Sequence, residues 1–182
     1  MDFMEKEKGD RPERYWPDFT QIALDWKTKK NLEEMFQTGK LDSLPVVGVR
    51  FEDVIKFVAY KNELEQGATK KETEFKRLKF LLPNSETDSL FGKAGALITG
   101  SKPQKNLPNA FPVLAVNHPM GSSKSRLFFI HQNVSEMSDT KGIALRGSYK
   151  NELKSSGLGV VQNYYVPSGF IGFRLMAEVV EE

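Results

Sequence analysis

The stretch 157–180, GLGVVQNYYVPSGFIGFRLMAEVV, constrains the fold more than any other part of the chain. From Ile171 onward the apolar residues alternate. Ile171, Phe173, Leu175, Ala177 and Val179 fall on one face, and Arg174 and Glu178 on the other. Successive side chains of a strand point to opposite faces, so this pattern predicts a strand with one dry side and one wet side. Leu158, Val160, Tyr164 and Val166 supply a partner strand of β-branched and aromatic residues. Between them, Val166-Pro167-Ser168-Gly169 reads as a type I turn, with proline presetting φ at the second position and glycine at the fourth. The expectation is a C-terminal β-hairpin that anchors a sheet.

Upstream, the pattern predicts a flexible charged N-terminal arm over 1–16 and a single domain over 17–182. Alternation of Ile22, Leu24 and Trp26 predicts a strand over 20–26. Thr28 then caps a short helix that Gly39 ends. A second strand is expected over 46–51. Asp53 is expected to cap a longer helix whose stripe is Val54, Phe57, Val58 and Lys61, broken at Gly67. Thr69 and Glu72 form a capping box, and Phe75, Leu78 and Leu82 share a face, so a further helix is expected over 69–82, stopped by Pro83. Beyond Asn84 the chain turns strand-like, with apolar runs at 94–98, 111–116, 126–132 and 142–145. Together these predict an α+β fold in which an antiparallel sheet packs against one or two helices.

The chain contains no cysteine, which removes disulfides, thiolate metal sites and cysteine nucleophiles from consideration. Its apolar runs fall well short of the roughly 20 residues of a membrane-spanning helix. The N-terminus is charged and polar and lacks the apolar centre of a secretory signal, so no export is expected.

The net charge of +2 conceals a strong segregation. Residues 1–88 carry 16 Lys/Arg against 18 Asp/Glu, whereas 89–174 carry 10 against only Glu136, Asp139 and Glu152. Nine of those cations, Lys93, Lys102, Lys105, Lys124, Arg126, Lys141, Arg146, Lys150 and Lys154, form the candidate binding surface. Their partner would be acidic lipid, or the phosphates of a nucleic acid. Tyr149, Tyr164 and Tyr165 are the candidate base-stacking residues.

Catalytic and metal constellations are not found. The stretch 95–102, GALITGSK, has two glycines at P-loop spacing, but its Ser-Lys order is reversed and Pro103 bars the helix that must follow. His118 and His131 lack a second histidine or a carboxylate at metal-ligand spacing, and Ser122, Ser123 and Ser125 lie outside any Gly-x-Ser-x-Gly turn. The reading is a non-enzymatic chain with no cofactor, no metal and no small-molecule substrate. A nucleic-acid-binding protein and an enzyme of unrecognised type are the alternatives.

Three features resemble the matrix proteins of rhabdoviruses, in particular the small ones of plant-infecting members. They are the charged arm, the helix from Asp53 through Val58 leading to Phe75-Lys76-Arg77-Leu78-Lys79-Phe80-Leu81, and the C-terminal Gly-Leu-Gly-Val-Val and Phe-Ile-Gly-Phe-Arg-Leu segments. Of that family's Pro-Pro-x-Tyr signature, Pro12-Glu13-Arg14-Tyr15 keeps the spacing with one proline. The resemblance implies a viral structural protein that self-associates, binds the nucleocapsid or its RNA, and lies peripherally on the inner face of the virion envelope. It also implies a presence in the host cytoplasm or nucleus.

Overall fold

The computed structural model describes residues 3, 26–39, 45–68, 77–88, 134–146, 148 and 160–180. Over these the α+β class holds: two helices and a one-turn helix accompany six short strands in two sheets.

Helix α1, Trp26–Gln37, ends as the sequence requires. Gly39 takes φ 70° and its N–H bonds back to the Phe36 carbonyl at 3.1 Å, the left-handed closure that glycine permits. Trp26 opens this helix instead of closing a strand; residues 20–25 lie outside the described residues. Helix α2, Phe51–Ala68, begins on the Arg50 carbonyl, which accepts the N–H groups of Asp53 and Val54. Asp53 therefore stands within the first turn and not at the cap, where its charge still suits the positive end of the helix. The strand expected over 46–51 is not formed. Gly48 takes φ 69°, Val47 makes only a single bridge to Gly172, and Phe51 is already helical. Along α2, Val54 is buried, Phe57 and Val58 are half-buried, and the Lys61 ammonium lies 5.3 Å from the Phe80 ring centre. Phe3 packs its ring against Phe57 and Tyr60, with centroids 5.4 Å apart in each pair.

The helix expected over 69–82 is corrected where it can be seen. Arg77–Leu81 is strand β1. Leu78, Phe80 and Leu82 fit a two-residue repeat as well as a helical stripe, and a distant partner decides between them. β1 pairs antiparallel with β6, Met176–Val180, from Arg77 opposite Val180 to Leu81 opposite Met176.

The second sheet has the order β4-β3-β2-β5. Its members are β2 (Ser135–Met137), β3 (Ile143–Leu145), β4 (Val161–Asn163) and β5 (Ile171–Gly172). β2, β3 and β4 are successive antiparallel neighbours, while β5 lies parallel to β2. The C-terminal strands thus exist, but they do not pair with one another. β4 and β5 occupy opposite edges of this sheet, and the chain after β5 crosses into the smaller sheet as β6. The alternation from Ile171 to Val179 is real in sequence, yet its first part is used in one sheet and its last part in the other.

The two sheets close their edges in the same manner. On the large sheet, β5 is covered by the bridge between Gly172 and Val47. On the small sheet, the Asn62 side chain imitates a missing strand. Its Oδ1 accepts the Phe80 N–H at 2.6 Å, and its Nδ2 donates to the Phe80 carbonyl at 2.9 Å. The opposite edges, β4 and β6, have no strand partner among the described residues.

The core lies between α2 and the sheets. Val49, Val54, Leu82, Met137, Ala144 and Ile171 form it, with Phe51, Val58, Tyr164, Phe170, Phe173 and Leu175 packed around them. Gly172 is essential to this arrangement, because a Cβ there would stand 2.5 Å from the Val46 carbonyl oxygen. Gly172→Ala should therefore force the 45–48 segment off the sheet and destabilise the fold by about 1–3 kcal/mol. Urea titration of the variant checks this, and an unchanged midpoint would show that the close approach is dispensable.

Candidate functional site

Among the described residues, three charged groups, Arg146, Asp88 and Glu136, are taken almost wholly out of water, with Arg174 at their rim. Arg146, only 4% exposed, donates from Nε to Asp88 Oδ1 and from Nη1 to Glu136 Oε2, both at 2.5 Å. Arg174 Nη2 reaches the other oxygen of Glu136 at 3.0 Å. Asp88 and Glu136 are as buried as Arg146, whereas Arg174 keeps a third of its side chain in solvent.

Each member is placed by a local device. Asp88 ends a one-turn helix over 85–88 that Asn84 caps. Asn84 Oδ1 accepts the Thr87 N–H and Thr87 Oγ1 accepts the Asn84 N–H, both at 2.9 Å, a reciprocal capping box. Glu136 is the middle residue of β2, whose three residues are all buried because strands flank it on both sides. Arg146 follows β3 directly and takes φ 75°, a left-handed conformation that costs a non-glycine residue about 1–2 kcal/mol. Its N–H bonds the Val160 carbonyl at 2.8 Å, so the residue that aims the guanidinium inward is also held to the start of β4. Arg174 sits on the link between β5 and β6. The cluster therefore joins the one-turn helix, the centre and end of the large sheet, and the crossing into the small sheet.

Burial pushes the Glu136 carboxyl above its ordinary value, while Arg174 and Arg146 oppose that rise and Asp88 adds to it. At the surface, Glu52 behaves in the reverse sense. Its bond with the Lys141 ammonium, which pins the β2–β3 turn to the start of α2, holds its carboxyl below the ordinary 4.5. Burial also lifts the Tyr164 hydroxyl, aided by the Glu52 charge.

Two of the nine sequence-selected cations can be placed. Lys141 is exposed and paired with Glu52. Arg146 is a correction: it is buried and fully engaged by Asp88 and Glu136, so it cannot meet an external acidic surface. Arg174 likewise faces Glu136. Lys93, Lys102, Lys105, Lys124, Arg126, Lys150 and Lys154 lie outside the described residues, as do His118, His131, Ser122, Ser123, Ser125 and Tyr149. Of the stacking candidates, Tyr164 packs on the core and Tyr165 is 92% exposed. Sequence reasoning missed Asp88 and Glu136. The Asn84-x-x-Thr87 cap was the available signal for the first; the second gave none, being one glutamate in an unalternating segment.

The other feature is at the open edges. On β4 Val161 is 52% exposed, just after it Val166 is 59% exposed beside Tyr165, and on β6 Val179 is 54% exposed next to an exposed Val180. Among the described residues no group of three or more His, Cys, Asp or Glu is placed to hold a metal ion. No described helix is long and apolar enough to cross a membrane. Comparison with protein-family models, curated proteins and solved structures finds no match to this chain.

The cluster's contribution is measurable. Arg146→Met removes the guanidinium from two buried carboxylates, leaving Glu136 only its bond with Arg174, and should cost about 3–5 kcal/mol of stability, read from denaturant midpoints. Glu136 sets a pH dependence of definite sign. Because its folded pKa is raised, its stabilisation is complete below 4.5 and is lost as pH rises through the folded value. Glu52 acts oppositely, stabilising above 4.5 and losing that effect as pH falls. The stability of Glu136→Gln relative to the parent should therefore shift in the variant's favour as pH rises from 4.5 toward neutrality. A pH-independent difference would remove Glu136 from this account.

Proposed function

We propose that this chain is a non-enzymatic assembly protein of the viral matrix type. Copies associate with one another, and the lysine-rich half meets the acidic inner face of an envelope and the nucleocapsid or its RNA. Its place is the virion interior and the host cytoplasm or nucleus. The observation that carries this reading is that, among the described residues, each sheet closes one edge with a specific device and leaves the other without a strand partner. Both unpartnered edges carry exposed apolar side chains. Monomeric proteins guard strand edges because unpaired N–H and C=O groups recruit further strands. Apolar side chains beside such an edge add area to be buried on association.

The charge asymmetry supports the second half of the reading. With the Arg146 and Arg174 cluster set aside, residues 89–174 still carry seven lysines and Arg126 against Asp139 and Glu152. Each lysine near an anionic bilayer contributes about 1 kcal/mol. A small nucleic-acid-binding protein is the second reading, favoured by the almost fully exposed Tyr165 ring, which offers a stacking surface.

Flotation with anionic and neutral vesicles across a salt series, run beside sedimentation velocity, tests both. Anionic vesicles should bind the chain, salt should release it, and the Lys102→Glu, Lys105→Glu, Lys124→Glu triple variant should bind at least about a hundredfold more weakly. A chain that stays monomeric and ignores anionic vesicles at low salt overturns the matrix-type reading. Binding to single-stranded RNA alone, lost in Tyr165→Ala, would establish the second.

A further inference from the structure

We infer that β6 is the seam of a symmetric dimer. Its outer edge pairs antiparallel with the same edge of a second copy about a two-fold axis through Val179, giving a continuous β1–β6–β6–β1 sheet. This rests on the self-association proposed for the chain and names the surface that carries it.

Backbone direction makes the first argument. Phe80 gives both its N–H and its C=O to Asn62, on the side of β1 away from β6. Phe80 lies opposite Ala177, so that pair is not hydrogen-bonded, and antiparallel alternation turns the N–H and C=O of Ala177 and Val179 outward. With Asn62 closing the far edge of β1, the ribbon can grow only on the β6 side. A two-stranded ribbon is marginal in water, and a four-stranded sheet is not.

Edge protection separates β6 from β4. β4 has three residues and is soon followed by Pro167, a length and a residue that discourage strand addition. β6 has five residues with neither proline nor lysine. Its one charge, Glu178, stands opposite Lys79 on β1 in a pair whose backbone groups face each other, so it leaves the outward N–H and C=O groups of Ala177 and Val179 uninterrupted.

Charge excludes one register, and the exposed area of Val179 favours another. An axis through Glu178 would set the two Glu178 side chains directly against each other in a close, non-hydrogen-bonded pair, which is destabilising. An axis through Val179 instead lets the two Val179 residues exchange both backbone hydrogen bonds. It sets Glu178 opposite Val180 of the second copy and covers a valine that is otherwise half in water.

The natural absence of cysteine makes the test direct. In Val179→Cys the facing Cα atoms would be about 5.5 Å apart, within the roughly 4.4–6.8 Å a disulfide spans. Mild oxidation of the full chain should therefore give covalent dimers, whereas Leu64→Cys, exposed on α2, should remain monomeric on a non-reducing gel. Val179→Lys should raise the dimer dissociation constant at least about tenfold in sedimentation equilibrium, and its melting temperature should no longer rise with protein concentration as the parent's does. If the chain associates but Val179→Cys links no faster than Leu64→Cys, the seam is overturned and the assembly reading stands. If the chain is monomeric throughout, the seam falls, and vesicle flotation decides the membrane part independently.

Discussion

Glu136 receives one arginine on each of its oxygens, and the architecture depends on that carboxylate. Four segments meet at this point: the capped turn carrying Asp88, the centre of β2, the turn after β3, and the link between the sheets. A slip of two residues along a strand could bring another apolar side chain into an apolar contact, but not another carboxylate into this one. A shift of one residue turns the Glu136 side chain to the other face. Two cations and two anions balance formally, but each desolvated ion costs several kcal/mol, so the cluster's value lies in specifying partners more than in net stability. The left-handed Arg146 backbone fits this view. A strained conformation persists where the surroundings over-determine it, and here Asp88, Glu136 and the Val160 carbonyl all hold the same residue.

The same economy governs the edges. Asn62 supplies from a helix the one donor and one acceptor that a neighbouring strand would have supplied, and Val47 closes β5 with a single bridge. Because the C-terminal segment runs from β5 directly into β6, both sheets are tied to one continuous piece of chain. Arg174, on that link, binds it to the centre of β2. Strand addition at β6 would thus act on a ribbon that the charge cluster already anchors.

Local signals were legible in the sequence and distant ones were not. Gly39 marked the end of α1, the Val54, Phe57, Val58 stripe marked α2, and the 142–145 run contained β3. In each case the deciding interaction lies within a few residues. Segment 77–81 could be read with either period, and its strand state is fixed by residues 176–180, far along the chain, and by Asn62. The C-terminal turn, expected at 166–169, forms two residues later, where the Ile171 N–H bonds the Ser168 carbonyl at 3.2 Å, and the strands on either side of it pair with β3 and β2 instead of with each other. Arg146 was counted as surface charge because a tally of charges carries no information about depth. Only the backbone turn after β3 and the capped Asp88 reveal where it points.

That correction sharpens the electrostatic argument. Of the cations of 89–174 that can be placed, both arginines lie against Glu136, where a planar guanidinium can satisfy separate carboxylates with separate N–H groups. Apart from Arg126, what remains for an external partner is lysine. Lysine is a compact, strongly hydrated point charge on a flexible stem, suited to a diffuse anionic surface and poor at bidentate recognition of a defined group. A set of cations dominated by lysine would give attraction that is broad in specificity and steep in salt dependence. Positioning would then come from contacts between copies, so the exposed edges and the basic half of this chain are complementary parts of one assembly reading.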